Sequence, residues 1–143
     1  MDTLEEYIKI DVKLYKKLNR KIIGLTYLKN FFEIDEKLFS SFFKKYESLI
    51  MENQGSFIIV DARNLGTVNL SSIPVDKLKR MKKLDDIVSK NIICISYIVK
   101  GIVIKNTINA VVKLFPPIVP VKVCNEPVEC FQFFEKNMKT ENN

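Results

Sequence analysis

Apolar and charged side chains alternate strictly at the start of the chain. Ile8, Ile10, Val12 and Leu14 fall on one parity and Lys9, Asp11 and Lys13 on the other. A period of two predicts a strand over 7–15 with one wet face, as at a sheet edge, and its lysines discourage pairing with another edge. A basic turn over 16–21 leads into a more apolar strand over 21–27, interrupted by Gly24, where something packed on the strand can approach closely. The period then changes. Leu38, Phe39, Phe42, Phe43, Tyr46, Leu49 and Ile50 recur at spacings of one, three and four, which predicts an amphipathic helix. Asp35 is placed to cap its first turn, and Gly55 lies just past its end.

The run Gly55-Ser56-Phe57-Ile58-Ile59-Val60-Asp61 has no polar alternation before its closing acid. A strand covered on both faces has this pattern. A turn-rich loop over 62–70 follows, and Ser71 or Ser72 can cap a helix with Pro74 in its first turn. Val75, Leu78, Met81, Leu84 and Val88 are its expected inward face, with Lys77, Lys79, Arg80, Lys82, Lys83, Asp85 and Asp86 on a solvated one. A second buried strand spans 91–99 and breaks at Lys100-Gly101. Residues 102–115 are rich in β-branched side chains, a strand propensity. Lys105, Asn109 and Lys113 nevertheless recur every four residues opposite Ile104, Ile108, Val111, Val112 and Phe115, which predicts a helix stopped by Pro116-Pro117. A short strand over 118–124 contains Pro120 and is therefore an edge. Asn125 is the expected cap of a closing helix with Pro127 in its first turn and Val128, Phe131, Phe134 and Met138 inward. Residues 139–143 read as a polar tail.

The resulting order is strand, strand, helix, strand, helix, strand, helix, strand, helix. After the first hairpin the alternation predicts an α/β fold: a mostly parallel five-stranded sheet with one antiparallel edge strand and four helices on both faces. The expected organisation is a single domain over 1–138 followed by the tail.

Composition narrows the chemistry. The 143 residues are 47% hydrophobic and 28% charged, as in a soluble globular domain. No apolar run approaches the ~20 residues of a membrane span, and the acidic start is unlike a signal peptide, so a soluble, cytoplasmic protein is expected. The net charge is +6, but only three of the 23 basic residues are Arg. Nucleic-acid recognition leans on arginine and on aromatic stacking, and dispersed lysines are more simply a solvated surface. Histidine is absent. Its absence removes the usual general base and every Ser-His or Cys-His arrangement. Cys94, Cys124 and Cys130 form no CxxC, and no zinc site is expected; buried free thiols are. The glycines at 55, 66 and 101 are isolated, so no phosphate-binding loop or cofactor motif is present.

The stretch Ser56-Phe57-Ile58-Ile59-Val60-Asp61-Ala62-Arg63-Asn64-Leu65 resembles the STAS family of anti-sigma-factor antagonists and sulfate-transporter tails, where an apolar strand ends in Asp. Val119-Pro120-Val121-Lys122-Val123 followed by 126–134 is similar to that family's short strand and closing amphipathic helix, and 95–115 fits between them. The resemblance is to the small stand-alone members and spans nearly the whole chain. It implies a non-enzymatic module that binds a protein partner or a small ligand. The family carries a phosphorylatable Ser, usually after Asp, at the start of the helix following the Asp-ended strand. Here those slots fall near Asn69-Leu70, with Ser71 one position later, so Ser71 and Ser72 read as helix caps.

Three strand ends are expected to converge on one rim, the usual place for a site in an open α/β sheet. They bring Asp61, Arg63 and Asn64, then Lys100 and Gly101, then Asn125. With Ser71 and Ser72, the residues Asp61, Arg63, Asn64, Lys100 and Gly101 make the candidate surface for a partner or an anion. The simpler alternative has Asp61 and Arg63 satisfying loop backbone groups and Lys100 solvated. The expected function is a cytosolic regulatory or protein-interaction module, with homodimerisation open. The alternative is a carrier of a small apolar or anionic ligand held between sheet and helices, its pocket lined by the helix at 102–115.

Overall fold

In the computed structural model the described residues are 3–28, 31–65, 75–114 and 116–141. The alternating segment forms β1 (Ile8–Tyr15), which pairs antiparallel with β2 (Arg20–Tyr27). Asn19 closes the hairpin at φ 52°, a left-handed conformation that asparagine tolerates. Directly across the ladder from Gly24 stands Asp11, and its carboxylate occupies the space a Cβ at position 24 would need. Next come α1 (Glu36–Glu52), β3 (Ser56–Asp61), α2 (Val75–Lys82), α3 (Asp85–Asn91), β4 (Ile92–Ile98), α4 (Ile102–Leu114), β5 (Val121–Cys124) and α5 (Pro127–Glu141).

The sheet order is β1-β2-β3-β4-β5, parallel from β2 onward, with β3 at the centre. This is the expected α/β architecture, and its sequential order has a consequence for the layers. Each crossover from β2 to β5 steps in the same direction across the sheet. Right-handed crossovers that all step one way lay their helices on one face. The core divides accordingly. Ile23, Leu25, Ile58, Val60, Ile95 and Tyr97 pack with α1, α3 and α4 on the crossover face. Ile22, Phe57, Cys94, Ile98 and Cys124 lie on the opposite face, with Cys130, Phe134 and Met138 of α5 over them. Both faces are covered, but α5 supplies the helical cover of the second.

Local signals explain the elements. The Asp35 carboxylate accepts from the Leu38 amide at 2.8 Å and caps α1, whose Phe39, Phe42, Tyr46 and Ile50 are buried as the stripe predicts. Gly101, at φ 85°, lets the chain reverse between β4 and α4. α4 is helical despite its β-branched content: Ile104 and Ile108 face the core while Lys105 and Lys113 face solvent. Pro120 stands immediately before β5, which is an edge strand.

Several local expectations are corrected. The segment expected as one helix to Val88 is two, α2 and α3, broken at Lys83-Leu84. Val75 and Val128, expected inward, are exposed in the first turns of their helices. Leu78 and Phe115 carry inward expectations that lie outside the described side chains. Pro127 opens α5 directly after Glu126, so Asn125 lies one residue before the capping position, and α5 continues to Glu141.

The expected solvated basic face of α2 is partly turned inward. Lys77 is only 6% exposed and donates from Nζ to the Ile34 carbonyl, with the ammonium 5.6 Å from the Phe39 ring centre. Arg80 lies over the rings of Phe39 and Phe43 at 5.2 and 5.3 Å and pairs with Glu36 at 2.5 Å. Cation–π contacts and the alkyl stem of lysine thus seat α2 on the start of α1.

Candidate functional site

The C-terminal ends of β2, β3, β4 and β5 share one rim because these strands are parallel. The rim is continued by hydrogen bonds beyond the strands: Ala62 donates to the Ile98 carbonyl at 2.8 Å, and Val99 to that of Cys124 at 2.9 Å. Asp61-Arg63-Asn64, Lys100-Gly101 and Asn125-Glu126 are therefore on neighbouring strand ends, as the sequence implied.

Asp61 and Arg63 form one unit. Arg63 donates from Nε to Oδ1 at 2.9 Å and from Nη2 to Oδ2 at 2.7 Å, and its backbone amide donates to Oδ1 at 3.1 Å. The forked geometry suits guanidinium and carboxylate, and the amide contact is an Asx turn that shapes the loop. Burial pushes the Asp61 carboxyl up, but the Arg63 hydrogen bonds and charge outweigh it, and its pKa is lowered overall. Arg63 is stabilised in its charged form by Asp61 first and more weakly by Glu126 at the start of α5. The guanidinium already has a carboxylate partner. Asn64 and Lys100 are exposed beside this pair. Ser71 and Ser72 lie outside the described residues.

Exposed apolar side chains lie beside this rim and at the first turns of the neighbouring helices, where the sequence did not place them. Ile102 and Val103, directly after Lys100-Gly101, are 73% and 57% exposed, and Val128 at the start of α5 is 57% exposed. Leu28, one residue beyond β2, and Val75, the first residue of α2, are exposed as well. A signal for the first two was present: the stripe Ile104, Ile108, Val111 leaves Ile102 and Val103 off its face.

Beneath the rim, the three cysteines are free and buried against α5. Burial and the neighbouring Cys124 push the Cys130 thiol up to about 12, and burial also raises Cys124. Thiols held in this protonated state are poor nucleophiles. The buried Ser96 hydroxyl lies beside the Cys124 and Cys130 sulfurs, which are weak hydrogen-bond partners. Among the described residues no group of acidic, histidine or cysteine side chains is placed to hold a metal ion, and no helix is long and apolar enough to cross a membrane.

No family model matches this chain, and no curated protein matches it. Among solved structures, it is similar to an uncharacterised protein of the DUF3478 family from Shewanella loihica PV-4, described as having a SpoIIAA-like fold. The two are 11% identical with a TM-score of 0.62, and the match covers 93% of this chain and 98% of that one. At this identity the likeness speaks for the backbone alone, and it agrees with the strand order and layers above. The chain has a SpoIIAA-like, and therefore STAS-like, fold.

Proposed function

We propose that this protein is a non-enzymatic regulatory module of the cytoplasm that binds a protein partner through the rim at the ends of β3 and β4. The observation that carries this reading is the exposure of Ile102 and Val103 directly after Lys100-Gly101. Fully burying one such side chain is worth about 1.5–3 kcal/mol, so a partner covering both gains a substantial part of a micromolar affinity. Apolar side chains flanked by charged and polar ones such as Lys100, Arg63 and Asn64 have the make-up of an interface core with its rim. The STAS-like fold supports the same reading by analogy of architecture. The absence of histidine and the engagement of Asp61 by Arg63 weigh against acid–base chemistry at this rim.

The test is affinity capture from the native cell extract with four baits: wild type, Ile102→Asp/Val103→Asp, Arg63→Ala/Lys100→Ala, and Leu14→Asp on β1 as a distant control. A protein recovered in stoichiometric amount by wild type and by the Leu14 variant, and reduced at least about tenfold by the Ile102/Val103 variant, is the expected result. Equal recovery by all four baits, with folds verified by circular dichroism, refutes this surface.

A further inference from the structure

A pocket of about 130 Å³, partly open to solvent past Lys82, Pro117 and Ile118, lies on the crossover face between the sheet, α1, the α2–α3 junction and α4. Val111 of α4 lines it, as do Met81 and Lys82 at the end of α2 and Leu84 at the break between α2 and α3. Leu84, Val88 and Val119 complete an apolar lining. Tyr46 on α1 and Tyr97 on β4 also line it, and each carries a phenol hydroxyl. Burial raises the pKa of both, so both phenols stay protonated and can donate hydrogen bonds. Lys82 and Asp85 also line the cavity; Lys82 is exposed and Asp85 partly so, and they bring opposite charges to its mouth.

We propose that this cavity is a binding site for a small uncharged molecule about the size of one aromatic ring, carrying one hydrogen-bond acceptor directed at Tyr46 and Tyr97. The size argument is direct. In another protein, an engineered apolar cavity of about 150 Å³ stays dry and takes up benzene. The lining argues for a neutral ligand, because its charged groups, Lys82 and Asp85, are of opposite sign and leave no net charge to offset a buried one. The phenols argue for an acceptor on the ligand, since a neutral tyrosine hydroxyl is a ready donor. This site is separate from the rim, and it stands or falls independently of partner binding.

The test is a titration of the isotope-labelled protein, followed by amide and methyl shifts in NMR, with phenol, benzene, benzoate and decanoate as probes at up to about 10 mM. Phenol is expected to saturate shifts around Tyr46, Tyr97 and Val111. Benzene binds the same place more weakly, and benzoate is excluded. Tyr97→Phe is expected to lower phenol affinity about fivefold to tenfold while leaving benzene unchanged, the signature of one lost neutral hydrogen bond. Val111→Phe, which fills the cavity from a half-buried position, abolishes both; Val88→Leu is the smaller filling variant should the first fail to fold. No neutral probe shifting these residues overturns the proposal. So does decanoate or benzoate binding there more tightly than phenol.

Discussion

α5 can be tested as an independently detachable cover. Phe134 is fully buried, stacks on Phe57 of β3 with ring centres 4.3 Å apart and 8° between planes, and meets Phe131 edge-on at 6.3 Å. Phe134→Ala removes the largest fully buried side chain of α5. Truncations of this kind cost about 3–5 kcal/mol, a large fraction of the ~5–15 kcal/mol that holds a domain folded. The buried thiols report the result. Cys94, Cys124 and Cys130 lie under or on α5, and a disulfide reagent reaches them only when the helix opens. If opening and closing are fast relative to labelling, the labelling rate follows the open population. At 1.36 kcal/mol per tenfold, Phe134→Ala accelerates labelling about 150- to 5,000-fold. The comparison variant is Phe39→Ala, equally buried but on the crossover face. If α5 opens by itself, Phe39→Ala leaves the rate unchanged while lowering the urea midpoint as much. Acceleration by Phe134→Ala of less than about tenfold refutes the packing argument. Equal acceleration by both variants refutes separate opening of α5.

Two further predictions concern charge. The Asp61–Arg63 pair is partly solvent-exposed, so Arg63→Ala is expected to cost only about 0.5–1 kcal/mol at neutral pH in urea unfolding. Asp61 has its folded pKa lowered, so this contribution is complete above the ordinary carboxylate value near 3.9 and disappears as pH falls through the folded value; a wild-type-to-variant difference that does not shrink as pH is lowered below the ordinary carboxylate value contradicts the assignment. Lys77 has the opposite sense of charge. Desolvation lowers its pKa from 10.5 against the pull of Glu36 and Asp35, so between the folded value and 10.5 the unfolded chain holds the proton more tightly. Wild-type stability must then rise with pH through that window relative to Lys77→Met, which keeps the alkyl stem and lacks the charge; equal slopes in denaturation at pH ~8 and ~10 argue against a desolvated ammonium.

The sheet was legible because its strands differ in pattern for physical reasons. β1 alternates at a sheet edge where Ile8 and Ile10 reach the core while Val12 and Leu14 stay exposed, β3 does not alternate since both its faces are covered, and the four-residue recurrence of polar positions in α4 overrode its β-branched propensity. What periodicity does not encode is the end of a helix. Val75 and Val128 are in register with their apolar stripes, yet each is exposed in the first turn of its helix. Nor does charge alone reveal direction. Lys77 and Arg80 face aromatic rings because a cation can bury its stem or stack on a π face, an option a hydrophobic/polar pattern scores as solvent. At the candidate site, the convergence of 61–64 with 100–101 followed from strand order. The mutual capture of Asp61 and Arg63, and the apolar exposure beside them, needed side-chain positions.

The sequential strand order has a consequence for synthesis on the ribosome. Each parallel strand joins the free edge of a sheet already made, so the crossover face can assemble as the chain emerges, without inserting a strand between two others. α5 breaks this progression, because it must return across β3, β4 and β5 to the other face. Until its 15 residues have been made, about 1–3 s at usual elongation rates, Phe57, Cys94 and Ile98 lie on a bare sheet. That interval is when the nascent chain is most open to chaperone capture, to aggregation through its uncovered face, and to oxidation of a thiol that the finished fold conceals.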